Sequence, residues 1–240
     1  QLQLNAHFVN VWCTTAYSFE LLEADEATRQ FKLAPFIDKI LASPGHPRYL
    51  GGYVKLGTEF ATEDFRRCVE SFKTGKTIPF QGRGEEFANT IADGTMGLQV
   101  MSARKILPEL PGLDDKLANG GAILEVGCGA GNHLLQLANA FPNARIAGVD
   151  IDADSLRVAR AKLAKAGVEN RVSVFEGDIS LATQAGKFDA VVMIEVLHEI
   201  APAIRMPIIN ASAAALAPDG YFVIIDETYP TTLAEMRQKE

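Results

Sequence analysis

The sequence predicts an α/β protein, a doubly wound and mostly parallel sheet in the second half of the chain, preceded by a smaller helical unit. Three observations carry this. From Ala122 onward short apolar runs alternate with amphipathic stretches, as parallel strands covered by helices on both faces require. The first of these runs, Ile123 to Val126, enters a loop with glycine at every second position, Gly127, Gly129 and Gly131. Helical spacing follows at once in Asn132 to Ala138, giving strand, tight loop and helix. Before residue 85 the apolar residues instead recur at three- and four-residue steps, between loops dense in Pro and Gly.

Composition narrows the function classes. With 240 residues, 48% of them hydrophobic, the chain can bury a core of one large domain, or of one domain and a smaller companion. A formal net charge of -7 and a pI near 5.2 give no general attraction to nucleic acid or anionic membrane. Cys13, Cys68 and Cys128 are far apart and lack metal-ligand spacing, so neither a disulfide framework nor a bound metal is expected, and a reducing, cytoplasmic setting is. No apolar run has the length of a membrane span, and the first residues have neither a basic stretch nor a signal-like apolar run. The chain opens at Gln1 already in periodic sequence, so an N-terminal piece is expected to precede it.

In the first half, Leu4, Phe8, Val11, Trp12, Thr15, Phe19 and Leu22 predict a helix from residue 1 to about 23, followed by a polar turn and a short extended segment ending at Pro35. Helix then hairpin suggests a winged-helix-like unit. Its first helix carries no Lys or Arg, so phosphate contacts are excluded there, and packing or dimerisation is the expected role. Residues 43–52 read as a loop, 58–72 as a helix and 74–84 as a second loop. The boundary is placed after residue 84, and a helix from 85 to about 107 leads into the sheet, ended by Pro108 and Pro111. His46, Arg48, Tyr49, Met96 and Met101 could approach a ligand, but solvation for the first three and core packing for the methionines are the simpler accounts.

In the second half the strands are 123–126, 145–150, 171–175, 188–194 and 221–225. Helices are expected over 132–141, 153–166 and 202–216, with another from residue 232. Ligands of such sheets bind beyond the carboxyl ends of the strands. Two details there bear on the ligand. The loop lacks the last glycine of a pyrophosphate-binding G-x-G-x-x-G, having Asn132 instead, and Glu125 at the strand end would repel a pyrophosphate but attract a cation. A hydride-transferring dehydrogenase is disfavoured by both.

On the motif Glu125-Val-Gly-Cys-Gly-Ala-Gly131 the chain resembles the class I S-adenosylmethionine-dependent methyltransferases, a Rossmann-like fold. The resemblance implies S-adenosylmethionine as cofactor and S-adenosylhomocysteine as product. Gly127, Cys128, Gly129 and Gly131 then form the cofactor loop, and Glu125 faces the ammonium end. Asp150 takes the ribose hydroxyls, while Asp152 or Asp154 caps the next helix. Asp178 is the implied ligand of the adenine amino group, Ile151 and Ile179 the apolar walls of the adenine, and Glu195 a lining of the methionine pocket or part of the core edge.

The stretch Phe188 to Ile200 narrows the likeness to small-molecule O-methyltransferases with an N-terminal winged-helix dimerisation domain. His198 stands where that group has its general base, though Glu199 follows it in place of the usual Asp. An imidazole near its ordinary pKa can take a hydroxyl proton at neutral pH, and Asp226 or Glu227, ending the neighbouring strand, could orient it. A helix cap or core hydrogen bond is the competing account of His198, and His7, His46 and His133 are weaker candidates. The implied enzyme is a homodimer acting on a small-molecule acceptor, with domains 1–84 and 85–240. Two alternatives stand beside it, a C- or N-methyltransferase with a structural His198 and a non-catalytic winged-helix regulator. The last two strands of the family's sheet have no sequence here, which leaves 221–225 as an apolar edge and predicts a fragment or strands supplied by another polypeptide.

Overall fold

The computed structural model describes residues 3–28, 30–184, 186–228 and 230–237. The first unit opens with α1 (Ala6–Ser18), whose N-terminus is capped by the Asn5 side chain, and a hairpin of β1 (Leu22–Asp25) and β2 (Gln30–Leu33). The long first helix expected to about residue 23 therefore ends five residues early. Glu20 adopts φ 60, the Leu21 N–H turns back to the Ala16 carbonyl, and Leu22, which fits the helical period, is instead the buried first residue of a strand. Its strand pairs Leu22 with Leu33 and Asp25 with Gln30.

Helices α2 (Ile37–Ala42), α3 (Gly51–Leu56) and α4 (Thr62–Thr74) follow, the last two joined by a π-helical turn over Gly57–Ala61. The sequence reads Gly51-Gly52 as loop, yet both lie in α3. The reason is tertiary: a Cβ on Gly52 would stand 2.3 Å from the backbone of Asp93, so Gly52 lets α3 lie directly on α5 (Glu85–Gly94), while a Cβ on Gly51 would stand 2.3 Å from the Leu41 carbonyl oxygen. The single helix expected over 85–107 is broken. After α5 the chain turns at Thr95 into α6 (Met96–Met101), a π-helical turn at Ser102–Ile106, and α7 (Leu107–Glu109); α8 (Leu113–Ala118) was not foreseen.

The sheet then forms as expected, with β3 (Ala122–Val126), β4 (Arg145–Asp150), β5 (Val172–Glu176), β6 (Phe188–Ile194) and β7 (Leu216–Ile225) in the order β5-β4-β3-β6-β7, all parallel. Between them run α9 (Asn132–Ala140), α10 (Ala153–Ala166), α11 (Ile179–Thr183) and α12 (Pro202–Ala214). Strand β7 begins earlier than expected because Leu216 pairs with Phe188 before a bulge that restores register at Tyr221 and Ala190.

Alternation along β3 sorts the core into two layers. Ile123 packs with Leu134, Leu137, Leu156 and Leu163 of α9 and α10, whereas Leu124 and Val126 pack on the opposite face with Ile179, Ala182 and Met193. Glu125, by the same parity, must point toward α9. Strand β7 lies at the sheet edge, and no helix among the described residues is long and apolar enough to cross a membrane.

Candidate active site

The carboxyl ends of β3, β4, β6 and β7 open onto one cavity of about 630 Å³. Its floor is the glycine loop. Gly127 at φ 75 leaves no room for a side chain, since a Cβ would meet Val196 Cγ2 at 2.5 Å, and a Cβ on Gly131 would meet that of Ala159 at 2.9 Å. Backbone N–H groups of Gly127 and Cys128 donate to the Val149 carbonyl at 2.8 and 3.1 Å, which anchors the loop to β4. The loop delivers the chain into α9 with its first N–H groups near the cavity floor.

Asp150 ends β4 beside this loop. One oxygen accepts from the Gly129 N–H at 2.7 Å and the other from the Asp152 N–H at 2.8 Å, and burial raises its pKa despite those bonds. Each oxygen keeps a second lone pair for a ligand donor. Asp152 is the cap of α10, accepting from Ser155, and also accepts the Gly82 N–H at 3.0 Å. Asp154 likewise accepts from Gly84 at 2.9 Å, so the 74–84 loop is fastened over the β4 end. Asp178 and Ile179 line the same side. Asp178 caps α11 through the Ser180 N–H at 2.7 Å, and the Ser180 hydroxyl, followed by that N–H, holds its carboxyl below the usual value. Ile179 is buried and Ile151 is 66% exposed, an open apolar wall.

Glu125 lies on the α9 face of β3, as parity requires, and meets a residue that the sequence ranked low. His133 Nδ1 is 3.1 Å from Glu125 Oε1, both side chains almost fully buried. Burial raises the Glu125 pKa, and the imidazole opposes this only in part. Glu125 Oε2 and His133 Nε2 have no hydrogen-bond partner among the described residues. The signal for this contact was available: strand parity sends Glu125 to the layer that the first turn of α9 covers.

The opposite end of the cavity is built on β6 and β7. His198 follows β6, and its Nδ1 donates to Asp226 Oδ1 at 2.7 Å; Asp226 Oδ2 accepts the Leu197 N–H at 2.7 Å. Burial by itself would lower the imidazole pKa, but the Asp226 hydrogen bond, with the charges of Asp226, Glu199 and Glu195, leaves it raised. Burial would raise Asp226, and the His198 hydrogen bond brings it below its ordinary value instead. Glu199 Oε1 is 4.0 Å from His198 Nε2, and its carboxyl is pushed up to about 7, first by burial. Glu195, at φ 56, and Glu227 also line the cavity.

Sequence reasoning missed the wall contributed by the first 84 residues and the entry helices, namely Tyr53, Leu56, Phe80, Gln81 and Gln99. Nothing in their local pattern marks them, because the contact is made across the chain. Met96, Met101, His46, Arg48 and Tyr49 do not line the cavity; Met96 packs near Gln136, and the His46 ring accepts the Arg48 N–H at 3.2 Å.

Comparison with known proteins sets this geometry in a family. Residues 123–220 match the family model described as a methyltransferase domain. This stretch is a methyltransferase domain. Its five-stranded parallel sheet and the glycine loop that opens it give it the class I methyltransferase fold. Among curated proteins, the chain is 26% identical over 192 residues to a 3-hydroxy-5-methyl-1-naphthoate 3-O-methyltransferase of Streptomyces sahachiroi, covering 77% of this chain and 53% of that protein. The chain thus spans about half the length of that relative. Among solved structures, an O-methyltransferase family protein from Burkholderia thailandensis aligns with a TM-score of 0.67 at 17% identity, over 92% of this chain and 66% of the other. Human N-acetylserotonin methyltransferase, solved in complex with SAM, aligns with a TM-score of 0.62 at 15% identity, over 92% and 66%. At these identities the likeness is one of fold, and it includes the helices that precede the methyltransferase domain.

Proposed function

We propose that this chain binds S-adenosylmethionine over the glycine loop and transfers its methyl group to a hydroxyl oxygen of a small molecule, with His198 as general base. The observation that carries this reading is the His198–Asp226 pair, 2.7 Å apart, in the cavity that also holds the glycine loop and Asp150. The residues present fit the cofactor. Glu125 offers a buried oxygen without a partner among the described residues, Asp150 offers two acceptors with lone pairs to spare, and close packing at Gly127 keeps the floor bare.

When bound, S-adenosylmethionine supplies an electrophilic methyl on a sulfonium. The chain's own groups do the rest. Asp150 holds the ribose hydroxyls, Ile151 and Ile179 flank the adenine with Asp178 at its edge, and Gly127, Cys128, Gly129 and Gly131 present backbone to the ligand. Glu125 lies toward the methionine end, whereas Glu195 stands with His198, Asp226 and Glu227 at the other end of the cavity. Asp226 accepts the Nδ1 proton, which makes Nε2 the basic nitrogen of His198; that nitrogen takes the acceptor's hydroxyl proton. Glu227 lies beside the pair. The 74–84 loop, fastened to Asp152 and Asp154, helps keep water out, and positioning supplies much of the acceleration.

Residues 1–84 serve in this reading as a winged-helix-like dimerisation and lid unit, and 85–240 as the cofactor unit of a cytoplasmic homodimer. Phe8, Trp12 and Phe19 support it, being 73, 63 and 71% exposed on one segment, an apolar surface of the kind that partners cover. The test is His198→Ala. Loss of methyl transfer with unchanged S-adenosylhomocysteine binding is expected, and near-normal transfer would remove His198 from the chemistry.

A further inference from the structure

The acceptor end of the cavity has a chemical character of its own. Glu195 and Glu199 follow β6 and Glu227 follows β7, so three carboxylates line the cavity at the end that holds His198, with Glu199 also within reach of the Asp150 charge. Tyr53 enters from α3, where the Gly52 contact with α5 holds it, and its hydroxyl is pushed up by burial and by the charges of Glu195 and Glu227. Gln99, 7% exposed, lines the wall next to α5. Its Nε2 is spent on Thr95 Oγ1 at 2.7 Å and the Ala92 carbonyl at 3.3 Å, which leaves Oε1 buried without a donor among the described residues.

No Lys or Arg lines this cavity among the described residues. The cation at its margin, Arg205 on α12, donates to the Ile200 carbonyl at 2.9 Å and does not reach the lining. Apart from His198, which Asp226 already pairs, such a site offers acceptors and an aromatic face but no counter-charge for an anion. Carboxylates with an aromatic ring and no Lys or Arg are the acceptor set that recognises an ammonium group. A carboxylate brought into it would be desolvated against like charge.

We propose that the natural acceptor is a hydroxyl compound that also carries a protonated amine, bound between Tyr53 and the carboxylates of Glu195, Glu199 and Glu227. This rests on the methyltransferase reading above and adds the charge class of its substrate. It also sets the chain apart from its Streptomyces relative, whose named acceptor, a naphthoate, carries a carboxylate.

The test is calorimetric, with S-adenosylhomocysteine already bound so that acceptors satisfied by the cofactor do not contribute. Three naphthols sharing one ring system and differing in a single substituent, aminomethyl, methyl or carboxylate, are titrated at neutral pH. The aminomethyl compound is expected to bind about tenfold more tightly than the methyl one, and the carboxylate at least about tenfold more weakly, as one net charge against partly screened carboxylates implies. In Glu195→Gln and Glu227→Gln the amine preference should shrink. Equal binding of all three, binding of none, or preference for the carboxylate overturns the proposal while leaving methyl transfer standing. Failure of S-adenosylhomocysteine to bind a folded sample overturns the methyltransferase reading and this inference together.

Discussion

Replacing Asp226 by Asn tests the proposed base without altering the shape of the site. Asp226 Oδ1 accepts from His198 Nδ1 at 2.7 Å and from the Glu227 N–H at 2.9 Å, and Oδ2 accepts from Leu197 at 2.7 Å. An asparagine can supply one acceptor oxygen, not two, so either the imidazole or the Leu197 N–H meets an amide donor. The pair is mostly shielded, with side-chain exposures of 26 and 10%. A hydrogen bond to a charged group in such a place contributes about 1.5–3 kcal/mol, which corresponds to roughly 10- to 100-fold in rate if the bond matters in the transition state. The sign for pH follows from the carboxylate. Asp226 favours the protonated imidazole, so its removal must lower the His198 pKa and move the rising limb of the pH–rate profile to lower pH, with a reduced plateau. The assay is NMR titration of the His198 ring in the S-adenosylhomocysteine complex, which needs no acceptor. A ring that titrates at the same pH in the variant would refute the coupling, and with it the orienting role of Asp226.

Asp150→Ala should weaken S-adenosylhomocysteine binding at least about 100-fold, since a charged acceptor for ribose is lost together with the bond that fixes Gly129; calorimetric binding within threefold of the parent would exclude Asp150 as a ligand. Glu199 is raised from 4.5 to about 7 in the folded chain, so folding favours its protonated form and stability falls as pH climbs through that window. Glu199→Gln should therefore raise the Tm above neutral pH and change little below 4.5, and a pH-independent difference would contradict this. Gly148→Ala places a Cβ 2.8 Å from both Cys128 Sγ and Leu134 Cδ1 in the core behind the glycine loop. It should cost about 1–3 kcal/mol in urea unfolding, and an unchanged midpoint would show that the core yields there.

The sheet half of the molecule was legible because its signals are local. Each strand is a short apolar run, and α10 carries its own period and its Asp152 cap, so β4, β6 and α10 begin and end where the sequence places them. The glycine loop and the acids after the strands follow from the same reading, as parallel strands bring their carboxyl ends to one edge. The first half was read less well. Phe19 and Leu22 fit a helical period, yet the left-handed turn at Glu20 ends α1 and puts Leu22 in a strand. Gly51 and Gly52 look like loop, and it is close packing, of Gly51 against Leu41 and Tyr49 and of Gly52 against α5, that gives glycine a place in this helix.

By itself, then, the sequence determined the parallel sheet, the loop that begins it and the candidate acids and base at its edge. Periodicity and glycine spacing depend on neighbours in the chain. The tertiary structure decided which groups meet: that Asp226, 28 residues from His198, holds its ring, that Glu125 turns to the buried His133, and that Tyr53 and Gln99 line the cavity. Those pairings join residues on different elements, and only the packing of one layer on another sets the distances that make them chemistry.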